Sequence, residues 1–248
     1  MADPNIVTFN RPGTIADQAA FDGGLRTHML RVYNYLASGL ALSGIVAFGV
    51  FSSAEVAGLF FEVESGHVVG LNILGWIAIL APLGLLLLTS SRAAQMSVTA
   101  VRTVYWAVTA LMGVSLSLLL FRYTGVSVAR TFFVTAAAFG ALSVFGYTTK
   151  RDLSAVGKFL FMGVIGLILA SIINMIWPSG TMSFVISAAG VLIFSGLIAY
   201  DTQMIKQKYT EAWGSEMAEK VAIFGALSLY ISLVNLFQFL MMFMGQRR

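Results

Sequence analysis

Gly196-Leu-Ile-Ala-Tyr-Asp-Thr-Gln-Met-Ile-Lys206 closes an apolar run that begins near Met182. Lys206 and Lys208 follow Asp201 by one to two turns and end the run. The hydrophobic pattern places the other carboxylates in tails and loops, so Asp201 is the one acid carried into a membrane-length segment. A charged carboxylate costs about 2.5–3.5 kcal/mol at the centre of a bilayer and less near its surface. Two readings follow. Asp201 is either a solvated helix-end aspartate at the headgroup level, or a group that faces a polar interior and has a task there.

The rest of the chain agrees with a membrane setting. Of 248 residues, 58% are hydrophobic and 10% are charged, and the mean hydropathy is +0.86. Soluble domains carry roughly 25% charged residues. This composition predicts an all-α integral membrane protein, because a helix satisfies its own backbone in lipid and no hairpin-like alternation is evident. The net charge of +4 arises from few groups at segment ends, which suits membrane orientation and gives no support to nucleic-acid binding. There is no cysteine, which excludes disulfides and thiolate chemistry. His28 and His67 are far apart and neither has a second ligand at helical spacing, so a zinc site is not expected and both histidines read as polar interfacial groups. A His-Glu-x-x-His motif, a second intramembrane carboxylate and a serine–histidine pair are all missing from the sequence, so the reading is of a protein that is not an enzyme.

Residues 1–24 read as a polar tail with Pro4, Pro12, Gly13, Gly23 and Gly24, and residues 25–248 as a single seven-helix transmembrane domain. Phe21 to Arg31 reads as an interfacial lead-in. Seven apolar runs fall near 32–53, 68–89, 102–121, 131–148, 157–177, 182–203 and 220–244, the fourth being the shortest. Roughly twenty residues at 1.5 Å each cross about 30 Å of hydrocarbon. With the N-terminus cytoplasmic, the inner segments hold Arg11, Arg26, Arg31, Arg92, Arg102, Lys150, Arg151, Lys158, Lys206, Lys208 and Lys220, out of 15 basic residues in all. The outer segments keep Arg122, Arg130, Arg247 and Arg248, which are the awkward members of this assignment. A re-entrant segment would instead return the C-terminus to the cytoplasm.

Gly39, Ser43 and Ala47, and less strictly Ala136, Gly140 and Val144, repeat at four-residue spacing, as close helix packing in lipid requires. Trp177-Pro178 ends the fifth run, and Ser215 reads as the N-cap of the last helix, with Glu216 and Glu219 in its first turn. Ser228, Ser232 and Asn235 share one face of that helix, with Gln238 at its margin and Tyr230 on another side. Such a stripe either bonds to a neighbouring helix or lines a polar cavity.

Taken together, Gly196 to Lys206, the string Ala226-Leu-Ser-Leu-Tyr-Ile-Ser-Leu-Val-Asn-Leu-Phe237 and the basic junction Thr149-Lys-Arg-Asp-Leu153 resemble the Bax inhibitor 1 family, the transmembrane Bax-inhibitor-motif proteins. The resemblance spans roughly residues 25–245. It implies a seven-helix bundle in a bacterial inner membrane or a eukaryotic internal membrane, and a pH-sensitive calcium leak. In eukaryotes it also implies protection against cell death, and one bacterial relative is linked to regulating a membrane protease. In the family's pattern two aspartates on helices six and seven share a proton, and an arginine on the second helix pairs with them. Asp201 matches the first aspartate. The second falls at Ser232, which is not an acid, and Arg92 is a better match for the arginine than Arg102.

That departure has a physical consequence. Two carboxylates at close range titrate as a coupled pair, whereas one carboxylate beside a hydroxyl has no such coupling. Calcium prefers six to eight oxygen ligands. Asp201, Ser232, Asn235 and backbone carbonyls therefore make at most a weak, transient calcium site, and no resident cofactor is expected. The sequence reading is thus a calcium or cation leak channel, or transport-like protein, with Asp201, Ser232 and Asn235 on the pathway and Arg92 as a latch. Its partners would be membrane lipid and calcium or other cations. The alternative is a non-conducting regulator that binds a membrane protease or another membrane complex.

Overall fold

The structure is a computed structural model that describes residues 15–64, 67–92, 95–210 and 214–248. Its elements are α1 (Ile15–Ser52), α2 (Ala54–Phe60), β1 (Phe61–Glu64), β2 (His67–Leu71), α3 (Ile73–Arg92), α4 (Val98–Arg122), α5 (Gly125–Thr148), α6 (Ser154–Ile176), α7 (Gly180–Lys208) and α8 (Ser215–Met244). The protein is all-α apart from one small hairpin. Among the described residues six helices are long and apolar enough to cross a membrane: Phe21–Ser52 of α1, and α4 to α8.

Three sequence expectations change here. The run near 68–89 is not one helix. Residues 67–71 form a strand paired antiparallel with β1, in which Phe61-Glu62-Val63-Glu64 does alternate, contrary to the expectation of no hairpin. The apolar stretch that remains, Ile73–Thr89, reaches about 25 Å at 1.5 Å per residue, short of a 30 Å core. The fourth run, expected to be the shortest, is instead a 24-residue helix. At the start of the chain α1 is already helical at Ile15, ahead of the boundary placed at residue 24. The tail expectation for residues 1–14, with Arg11, lies outside the described residues.

Helix ends are set by local chemistry. Ser97, Thr124 and Ser179 are N-caps whose hydroxyls accept from the backbone N–H three residues on. The last helix differs from expectation: Gly214 is its N-cap, and Ser215 is its first residue. Glu219 is used elsewhere, accepting from Tyr35 Oη at 2.9 Å and pairing with Arg102. Asp152 Oδ1 accepts from the Ser154 backbone N–H at 2.9 Å just before α6.

These pairings sort the helix ends into two faces. On the first, Phe21 meets Tyr209, Lys206 Nζ donates to Tyr147 O, and Arg102 meets Glu219. On the second, the residues after α8 pair with Tyr123, Phe184 meets Phe243, and the hairpin packs with Phe121. α1, α4, α6 and α8 thus run one way, and α3, α5 and α7 the other.

α8 lies at the centre, packed on α1, α4, α5 and α7. Its apolar residues join two cores, one with α1 and α4 around Tyr105 and Leu229, the other with α6 and α7 around Ile198 and Leu236. The stripe Gly39, Ser43 and Ala47 is a packing seam, as expected: Gly39 faces Tyr105, and Ser43 Oγ donates to Thr109 O at 2.7 Å. The stripe Ala136, Gly140 and Val144 is not, because all three are exposed. The close approach on α5 is instead Gly146, where a Cβ would overlap the Ala199 carbonyl of α7. Small residues matter here because helix association in lipid depends on close backbone packing and hydrogen bonds.

Candidate functional site

Asp201 lies on α7 and is only 8% exposed, so it is not a solvated helix-end group. Among the described residues it is the only buried carboxylate. The antiparallel packing of α7 on α8 sets Ser232 opposite it, and Ser232 Oγ donates to Asp201 Oδ2 at 2.8 Å. Ser232 is itself buried. A charge-assisted bond of this kind satisfies one carboxylate lone pair where water is scarce.

Both residues line a cavity of about 390 Å³ bounded by α3, α6, α7 and α8. Its polar lining consists of Asp201, Ser228, Ser232 and Thr89; Phe161, Phe194 and Phe224 are among its apolar walls. The cavity exists because α3 packs mainly on α4 and stands away from the α7–α8 pair. Thr89 was missed by sequence reasoning. It sits one turn before the flagged Arg92, but a threonine in a leucine-rich helix carries no signal of what faces it.

The other site candidates are placed differently. Asn235 shares the face of Ser228 and Ser232, yet its Nδ2 donates to Ile231 O at 2.8 Å within α8. Arg92 is exposed at the end of α3, does not line the cavity, and makes no ion pair with Asp201 among the described residues. Arg102 is engaged by Glu219. The stripe on α8 therefore does both things considered for it: Ser232 bonds to another helix, and Ser228 and Ser232 line a cavity. Tyr230, on the other side, shares a 2.6 Å hydrogen bond with Ser43 of α1.

Two further polar contacts lie two residues along α7, nearer the first face. Gln203 Nε2 donates to Arg151 O at 2.8 Å, and its Oε1 accepts from Leu153 N at 2.8 Å. The basic junction before α6 is thereby tied to the segment that carries Asp201. His28 is buried on α1, its ring 5.4 Å from that of Tyr209. No group of three or more acidic or histidine side chains is arranged for a metal among the described residues.

The chain matches, over residues 25–248, the family described as inhibitor of apoptosis-promoting Bax1. It belongs to the Bax inhibitor 1 family. An uncharacterized protein of Caulobacter vibrioides is 49% identical to it over 238 residues, 96% of this chain and 95% of the relative. An uncharacterized protein of Rickettsia prowazekii is 41% identical, covering 95% and 96%. The inner membrane protein YbhL of Escherichia coli is 38% identical over 227 residues, covering 91% and 94%. This member of the Bax inhibitor 1 family is a multi-pass integral membrane protein. Within it, the residues that carried the resemblance on α7 and α8 are the ones that meet at Asp201 and Ser232.

Proposed function

We propose that this protein is a pH-sensitive calcium or cation leak channel, or a transport-like protein, with Asp201 as the charged group on the pathway. The observation that carries the reading is the Ser232–Asp201 hydrogen bond inside a cavity of the bundle. An ionisable residue at such a place is conserving a costly charge, and in membrane proteins such groups mark ion or proton paths. Calcium would be cargo, held transiently by Asp201 with Ser232, Ser228 and carbonyl oxygens, since one carboxylate is too little for a tight site. Asn235 would extend the polar path along α8. Arg92 would act as the latch by swinging from beyond Thr89 toward the cavity, which requires α3 to close on α7 and α8.

In this reading α3 is the seventh crossing. Its apolar stretch is short, and short helices are accommodated by local thinning of the bilayer. The division of basic residues supports a cytoplasmic first face and N-terminus, and the inner-membrane name of the relative YbhL supports a bacterial inner membrane. The protein would act without enzymatic chemistry, a resident cofactor or nucleic acid.

The test is cation flux from purified protein in liposomes across pH 5 to 8. Asp201→Asn keeps size and polarity but removes the charge, and is expected to change flux and flatten its pH dependence. Ser232→Asp places a second carboxylate against the first and is expected to steepen the pH response, because the two titrate as a coupled pair; Ser232→Asn is its untitratable control. Equal flux from wild type and Asp201→Asn would defeat the reading. Silence of the wild type, together with co-purification of a membrane protease, would favour the non-conducting regulator.

A further inference from the structure

Arg122, Arg247 and Arg248 are three of the four basic residues that fit the charge division badly, and the fold brings these three together. The residues after α8 run antiparallel to the end of α4: Thr124 N donates to Gln246 O at 3.1 Å, and Arg248 N to Arg122 O at 3.0 Å. Ser127 Oγ accepts from Gln246 N at 3.0 Å. The Arg248 guanidinium is held by its own Nε, which donates to Tyr123 O at 3.2 Å, and lies 5.3 Å from the Phe51 ring centroid. The three arginines and Val68, Leu118, Leu119 and Phe121 enclose a cavity of about 320 Å³.

Among the described residues no acidic side chain lines that cavity. The ion pairs among the described residues, Arg102–Glu219 and Lys220–Glu216, both lie at the opposite face. The neighbouring space is apolar. A groove of about 690 Å³ runs between α1, α4 and α5 with α8 at its floor, and it meets the arginine cavity at Leu119. Phe132, Phe133, Leu233 and Phe237 are among its walls. Several arginines around one space match the oxygens of a phosphate, which a guanidinium contacts two at a time. A long apolar groove beside them matches a hydrocarbon chain.

We infer that Arg122, Arg247 and Arg248 form a binding site for the phosphate of an anionic phospholipid, with one acyl chain of that lipid lying in the groove beyond Leu119. The site is separate from Asp201 and does not rest on ion conduction. It gives the arginines of the second face a role: the lipid headgroup supplies negative charge to a cavity that no acidic side chain lines among the described residues, and it clamps the end of α8 to the end of α4.

The test is native mass spectrometry of the full chain in a neutral detergent, titrated with phosphatidylglycerol and, separately, with phosphatidylcholine. Phosphatidylglycerol is expected to be retained in preference. Each arginine near a membrane surface contributes about 1 kcal/mol toward an anionic lipid, so each arginine-to-glutamine change is expected to weaken retention about fivefold, which is that energy converted. Lys150→Gln with Arg151→Gln, at the other face, is expected to have no effect. Ala129→Phe, which fills the groove, is expected to weaken phosphatidylglycerol binding. Unchanged retention in Arg122→Gln/Arg247→Gln/Arg248→Gln would overturn the site. Displacement of the lipid by low-millimolar inorganic phosphate, with no effect of Ala129→Phe, would make it a free-phosphate site and overturn the lipid assignment. The backbone bonds that hold the tail survive glutamine, and melting in detergent checks this. If the triple variant does not fold, Arg247→Gln decides alone, since its side chain makes no hydrogen bond among the described residues.

Discussion

α6 and α8 are both long and apolar enough to cross a membrane, and they occupy opposite places in the molecule. In its most apolar window α6 is only 6% buried, whereas α8 is 61% buried. α6 is the more hydrophobic of the two, with Phe159, Phe161, Met162, Ile165 and Leu169 facing outward. α8 carries Ser228, Tyr230, Ser232, Asn235 and Gln238 and sits in the middle. In water the order would be reversed. In lipid the tails solvate α6 as well as a protein core would, and helices are drawn together by close packing and polar contacts instead. The central helix is therefore the one with hydroxyls to share, and Asp201 and Ser43 are bound from its two sides.

Small-to-large substitutions separate a helix–helix seam from a lipid-facing surface most sharply. Gly146→Leu must push α5 off the Ala199 backbone of α7, which packs on α8, and is expected to prevent folding or lower stability by about 3 kcal/mol. Gly166→Leu on α6 meets nothing within 4 Å and is expected to behave as wild type. Thermal unfolding in detergent reads both, and equal losses would break the comparison. Truncation gives the next largest contrast. Leu229→Ala empties a fully buried site on α8 and is expected to cost about 2–4 kcal/mol. Leu169→Ala on α6 is 57% exposed and is expected to cost under about 0.5 kcal/mol, because lipid fills the space. A reversible unfolding assay in bicelles measures the pair.

The smallest effect concerns how the two helices begin. α8 starts at Gly214 without a side-chain cap, while Asp152 serves the start of α6. Hydrogen bonds from the Ser154 side chain and backbone hold the Asp152 carboxyl below its usual range. A depressed carboxylate stabilises the fold above its unfolded pKa, and the contribution is lost as pH falls through the folded value. The melting difference between wild type and Asp152→Ala should thus be full at pH 6 and vanish on acidification well below about pH 4. A pH-independent difference would show that the carboxylate charge is not involved.

Much of this architecture was legible in the chain. Runs one, three and four to seven each became a helix, because lipid imposes its demand for apolar side chains residue by residue. The hairpin was not legible. Four alternating residues, 61–64, two of them glutamates, look like any polar loop, and only their pairing with 67–71 makes them a strand. The packing stripe on α5 was misread for a related reason. Ala136, Gly140 and Val144 have the right spacing, but spacing names a face without saying whether a helix or lipid lies against it.

The sequence by itself determined that the chain lives in a membrane, where six of its long helices fall, and that Asp201 is its one acid out of place. Those are consequences of transfer energy, which each residue carries with it. Only the tertiary structure decided that Ser232, 31 residues later, is the partner of Asp201, that Arg92 stands outside the cavity, and that Arg122 meets Arg247 and Arg248. Those depend on which helix faces are in contact, and in lipid that choice is made by shape and hydrogen bonding between residues distant in the chain rather than by hydrophobicity.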